Sequence, residues 1–150
     1  MTGKQLLIVL GGIAIGFILM VVGSSSNLVG IAAVAANAGF EGTDLIIAVA
    51  IALAESGGKA NAIGDKGLAP TNGPSYGLWQ INVGTKAHPE YASMAQSGDL
   101  FDPQNNANAA FDIYTKAGES FRPWATFDPR DGSTPRYLAY LDEAKGQVQV

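Results

Sequence analysis

Residues 43–58 read T-D-L-I-I-A-V-A-I-A-L-A-E-S-G-G. From Leu45 to Ala54 no side chain is polar, and neither Gly nor Pro interrupts the run. Ala, Leu and Ile in this mixture predict a helix. Thr43 and Asp44 are expected to cap its start, and Gly57-Gly58 is a strong stop signal. The run is apolar on every face, so the helix should lie at the centre of a domain rather than on its surface. It is too short to cross a bilayer, which takes about 20 apolar residues. Glu55, in the last turn, is the only acid on this helix beyond the capping residues.

On the N-terminal side, Leu28 to Phe40 is Ala-rich and predicts a further helix ended by Gly39. Earlier still, Leu6 to Val22 is uncharged throughout, L-L-I-V-L-G-G-I-A-I-G-F-I-L-M-V-V. At about 1.5 Å per residue this run approaches the thickness of a bilayer core, and Lys4 can snorkel. It is expected to be a transmembrane anchor; a cleaved signal peptide is the alternative. Lys4 precedes the span and the next basic residue is Lys59. The positive-inside rule then puts the following domain outside the cytoplasm. This divides the chain into an anchor and linker, 1–26, and a domain, 27–150.

On the C-terminal side, residues 57–75 hold five Gly and two Pro and predict loop with a small hairpin. A short strand is expected within Tyr76 to Val83. Asp102-Pro103 should open another helix that Gly118 ends, with Ala107, Ala110, Phe111 and Tyr114 in one apolar stripe. A last helix should begin near Ser133 to Pro135 and stop at Gly146, carrying Tyr137, Tyr140, Leu141 and Ala144. The expected fold class is therefore mainly α: an N-terminal transmembrane helix, then a small helical domain with a short β element.

Composition narrows the chemistry. Cys is absent, so thiol catalysis and thiolate metal sites are excluded. His88 is the one histidine, which leaves no multi-His metal site, and its place before Pro89 reads as an exposed turn. No metal and no cofactor is expected. The net charge is −4 without a Lys/Arg cluster, so a nucleic-acid partner is not expected.

Glu55 then carries the functional reading. Apolar neighbours and the negative end of the helix dipole both penalise its charged form. A carboxylic acid still protonated near neutrality can donate its proton to a glycosidic oxygen. Residues 74–82, P-S-Y-G-L-W-Q-I-N, place Gln80 and Asn82 on one strand face, able to bond a sugar's acetamido and hydroxyl groups. Trp79 faces the other way and should be core. Trp124, in F-R-P-W-A-T-F, can stack on a sugar or anchor the packing.

Taken together, A-L-A-E-S-G-G, S-Y-G-L-W-Q-I-N, L-F-D-P-Q-N-N-A-N-A-A and F-R-P-W-A-T-F resemble the lytic transglycosylase and lysozyme-like superfamily, from about Ile31 to Lys145. The resemblance implies a cleft over the end of the Glu55 helix, with peptidoglycan glycan strands as the partner. It implies Glu55 as general acid and then base, and Gln80 lining the cleft with Tyr76 and Asn82 nearby; with Ser75, Tyr114 and Trp124 these make up the expected substrate-binding set. One position departs: S-Y-G-L-W-Q-I-N is similar to a c-type lysozyme stretch that begins with the second catalytic Asp, where this chain has Ser75. That favours a transglycosylase, which needs one acid, over a two-carboxylate hydrolase. Asp65, Asp99 and Asp102 remain candidates for positioning a water. A non-catalytic peptidoglycan-binding module is the alternative from another class. The setting stays open among cell-wall remodelling, a secretion or conjugation apparatus and a bacteriophage virion.

Overall fold

The computed structural model describes residues 30–149. The expected membrane segment, Leu6 to Val22, lies outside them. Among the described residues, no helix is long and apolar enough to cross a membrane.

Among the described residues, five α-helices surround one core: α1 (Ile31–Ala38), α2 (Gly42–Ser56), α3 (Ala92–Ser97), α4 (Pro103–Lys116) and α5 (Leu141–Val148). Three two-residue strands, β1 (Ile63–Gly64), β2 (Ser75–Tyr76) and β3 (Ile81–Asn82), form an antiparallel sheet in the order β1-β2-β3. Ser75 pairs with both Gly64 and Asn82, and Tyr76 with Ile63 and Ile81. The fold is mainly helical with a small β element, as expected.

Helix α2 is the axis of the domain. Ala48 to Leu53 are all buried, and α1, α5 and the 3₁₀ turn Arg136–Tyr140 pack around them. Burying each Leu, Ile or Val here contributes about 1.5–3 kcal/mol. Gly57 closes the helix in the left-handed conformation, φ 62°, its N–H donating to Leu53 O at 2.9 Å. A residue with a side chain would resist that turn. Helix α4 opens as expected, with the Asp102 carboxylate accepting from Asn105 N at 2.9 Å. Its apolar face meets α1, and Phe40, Phe111, Tyr114 and Phe121 form an aromatic cluster between them.

Three local expectations are corrected. Helix α2 begins at Gly42 with Glu41 in the capping position, and no side chain caps it. Asp44 lies within the first turn, where a carboxylate is favoured by the dipole, and accepts from the Tyr114 hydroxyl at 2.7 Å. The last helical segment starts as a 3₁₀ turn at Arg136, and α5 then runs through Gly146 to Val148. A glycine stops a helix by turning left-handed; Gly146 does not, whereas Gly39, Gly57 and Gly118 have positive φ. Gln80 also sits just outside β3, with φ 47°, rather than on the strand with Asn82.

The sheet is tied to the helices by a chain of buried polar bonds. Asn106, on α4, accepts from Trp79 N at 2.9 Å. Its amide donates to Tyr76 O and Leu100 O, each at 2.9 Å. The Trp79 indole donates to Ala48 O on α2, and the Trp124 indole donates to Trp79 O. Gly77 passes so close to Asn106 and Leu100 that any β-carbon would clash with both.

Candidate active site

Glu55 stands half-buried at the end of α2, on the wall of a groove of about 550 Å³. Asp65, Thr126, Arg130, Asp131 and Arg136 line the same groove. Loss of hydration on burial raises the Glu55 pKa above the ordinary carboxylate range. The Thr126 hydroxyl, donating to Oε1 at 2.7 Å, works against that rise. The positive charge of Arg136 also opposes it, and the negative charge of Asp65 adds to it. The net direction is up, as the apolar helix led us to expect.

Thr126 was not among the residues picked from the sequence. It is 2% exposed and makes its hydrogen bond across 71 residues of chain. Only its place beside Trp124 in W-A-T-F hinted at it. Because the hydroxyl stabilises the charged carboxylate, Thr126→Val should raise the Glu55 pKa further. The midpoint of the Glu55 carboxyl titration should then move to higher pH. An NMR titration of the Glu55 carboxyl in the variant checks this, and an unmoved or downward-moved midpoint would contradict it.

The structure divides the remaining sequence candidates. Gln80, Asn82 and Trp124 line a second cavity of about 230 Å³, together with Asn72, Lys86, His88 and Arg130. Arg130 lines both cavities. The Gln80 amide donates to Gly77 O at 2.9 Å and Ala62 O at 3.3 Å. Asn82 donates to Asn72 O and accepts from Gly84 N. Much of both amides' bonding capacity therefore goes to holding the sheet and its loops. Trp124 is 6% exposed and is chiefly a packing anchor that also forms cavity wall. His88, read from the sequence as exposed, is half-buried, with Nδ1 3.5 Å from Glu90 Oε1.

Tyr76 lies edge-on to Phe101, and Tyr114 is buried against Phe121 with its hydroxyl on Asp44. Neither lines the two cavities. Ser75 is 1% exposed, and its hydroxyl donates to Asp65 Oδ2 at 2.6 Å. It does not line them either. It fixes the carboxylate that shares the groove with Glu55. Of the three acids considered for positioning a water, only Asp65 stands there. Asp102 caps α4, and Asp99 accepts from Ser97. Among the described residues no group of three or more His, Asp or Glu is placed to hold a metal ion.

The sequence matches the family described as a lysozyme-like domain over residues 32–126. The chain belongs to the lysozyme-like domain family. The match covers more than half of the chain and includes Glu55, the sheet, α4 and Thr126. No curated protein and no solved structure matches the chain. Membership supports, in general terms, a glycosidase or transglycosylase acting on peptidoglycan. In this lysozyme-like domain the match takes in Glu55, Asp65 and Thr126 of the groove, while Arg130, Asp131 and Arg136 of its wall lie beyond it.

Proposed function

We propose that this lysozyme-like domain cleaves peptidoglycan glycan strands at the MurNAc–GlcNAc β-1,4 bond, as a lytic transglycosylase with Glu55 as its single acid and base. The observation that carries this reading is the placement of Glu55. It is a carboxyl whose burial favours the protonated form, on the wall of an open groove.

The steps need no other ionisable group. Protonated Glu55 gives its proton to the glycosidic oxygen as the bond from that oxygen to C1 breaks. The muramyl acetamido oxygen bonds to C1 and holds the positive charge. The sugar's 6-hydroxyl oxygen then attacks C1 and displaces the acetamido oxygen, while its proton passes to the Glu55 carboxylate. The acid is regenerated, a 1,6-anhydro end is left, and no water is consumed.

A second reading is favoured by one specific feature. Asp65 lines the same groove, oriented by Ser75, and would hold a water for attack on C1. That would make the domain a hydrolase of the same bond.

Product mass separates the two. The transglycosylase reading expects a product lighter by one water, about 18 Da, than the hydrolytic product. Hydrated reducing ends, lost in Asp65→Asn, would replace it with the hydrolase reading. If Asp65 acts only through its charge, Asp65→Asn should keep anhydro products. The Glu55 pKa should then move down, and with it the alkaline limb of the kcat/KM profile, where the acid loses its proton, because a carboxylate that raises the pKa has been removed. Sacculi bound without any soluble product would instead favour a binding module.

The anchored setting, with the domain outside the cytoplasm, belongs to this proposal. A membrane segment at 6–22 would hold the domain beside the wall it cuts.

A further inference from the structure

The second cavity differs in charge from the groove at Glu55. The groove mixes Glu55, Asp65 and Asp131 with Arg130 and Arg136. The second cavity is lined by Lys86, Arg130 and His88 and by no carboxylate. In a chain of net charge −4 this is a local reversal. Among the described residues, neither Lys86 nor Arg130 is ion-paired.

The loop that presents Lys86 is fixed. Thr85 N donates to Pro70 O at 2.9 Å, Lys86 N to Thr71 O at 3.1 Å and His88 N to Asn82 O at 3.1 Å. Gly84 is buried against Thr71 and Gly73, where a β-carbon would meet backbone at 2.5–2.7 Å. Lys86 on this pinned loop and Arg130, neither of them held in an ion pair among the described residues, form a site for an anion that arrives with the ligand.

We infer that Lys86 and Arg130 form a carboxylate-binding subsite beside the cutting groove, so that the domain prefers glycan strands bearing carboxylates to neutral ones. This rests on the proposed function for its substrate, and Arg130, shared by both cavities, joins the two. A carboxylate reaches such a site from either of two sources. One is the peptide carried on the lactyl group; the other is the lactyl group itself once the peptide is gone. Polymers of N-acetylglucosamine alone carry neither.

The test uses the full-length chain in detergent with Glu55→Gln, so that binding is read with no bond cut. Three probes are compared by calorimetry: a neutral N-acetylglucosamine oligomer, peptide-free strands with lactyl carboxylates, and peptide-bearing strands. At least one carboxylate-bearing probe should bind about tenfold more tightly than the neutral oligomer at low salt. Which of the two does so identifies the source. Lys86→Ala should remove most of that ratio and Lys86→Arg should keep it, and raising the salt should shrink it. Lys86 is exposed, so its substitution spares the core. Equal affinity for all three probes, failure to bind any, or a ratio that Lys86→Ala leaves intact would overturn the subsite. Failure of the proposed function shows separately, as absence of soluble product from sacculi when Glu55 is intact.

Discussion

Replacing Glu55 by Gln is expected to lower muropeptide release from sacculi by about 10³-fold or more, within the upper range for loss of a general acid. The amide is nearly isosteric and can still accept the Thr126 hydrogen bond, so the groove should keep its shape. It has no proton to give to a leaving oxygen. A second effect has the opposite sign. Glu55 has a folded-state pKa above its ordinary value, so the folded state holds the proton more tightly than the unfolded chain. Stability is then lost as pH rises from the unfolded pKa through the folded one. Glu55→Gln removes that penalty, so the variant should melt higher than the parent at neutral pH, with the difference vanishing in acid. Assay of sacculus digestion and thermal melts at two pH values check both halves. Full activity in the variant would remove Glu55 from the mechanism. A melt that falls at neutral pH would show that the carboxyl helps hold the fold instead.

Asn106→Leu should be the most damaging single change outside the groove. Asn106 is fully buried and satisfies Trp79 N, Tyr76 O and Leu100 O at once. Leucine is close in size but strands all three backbone groups in a dry interior. Each stranded group costs about 1–3 kcal/mol, so a total of at least about 3 kcal/mol is expected, with a fall in Tm on the order of 10 °C or more. Asn106→Asp should also destabilise, since a carboxylate accepts from Trp79 N but cannot donate to the two carbonyls. Asn108→Ala, two residues along and exposed, should cost less than about 0.5 kcal/mol. Urea unfolding of the three variants decides the matter. A loss below about 1 kcal/mol for Asn106→Leu would mean that the β element is held by apolar packing alone.

Both predictions mark where local sequence was readable. Helix α2, its glycine exit and the desolvated Glu55 could be read because an apolar run, a Gly-Gly stop and one acid are all neighbours in the chain. The Asp102 cap and the apolar stripe of α4 were readable for the same reason, since their spacing is set by helix geometry. The cap of α2 was misread because Asp44 bonds across 70 residues to Tyr114. Gln80 was placed on a strand because alternation cannot show that one residue turns left-handed before β3 begins. The small helix α3, Ala92–Ser97, gave no signal in so short a stretch.

The sequence by itself determined a central buried helix ending in an acid, and with it the family. Those features depend on residues within a few turns of each other. Only the tertiary structure decided which distant groups meet that acid. It brings Thr126 onto the carboxyl, sets Asp65 in the same groove through Ser75, and turns Tyr114 away into the core. It also gathers Lys86 and Arg130 on one cavity. Contacts between residues tens of positions apart arise from how helices and sheet pack, and no local pattern of residue types encodes that packing.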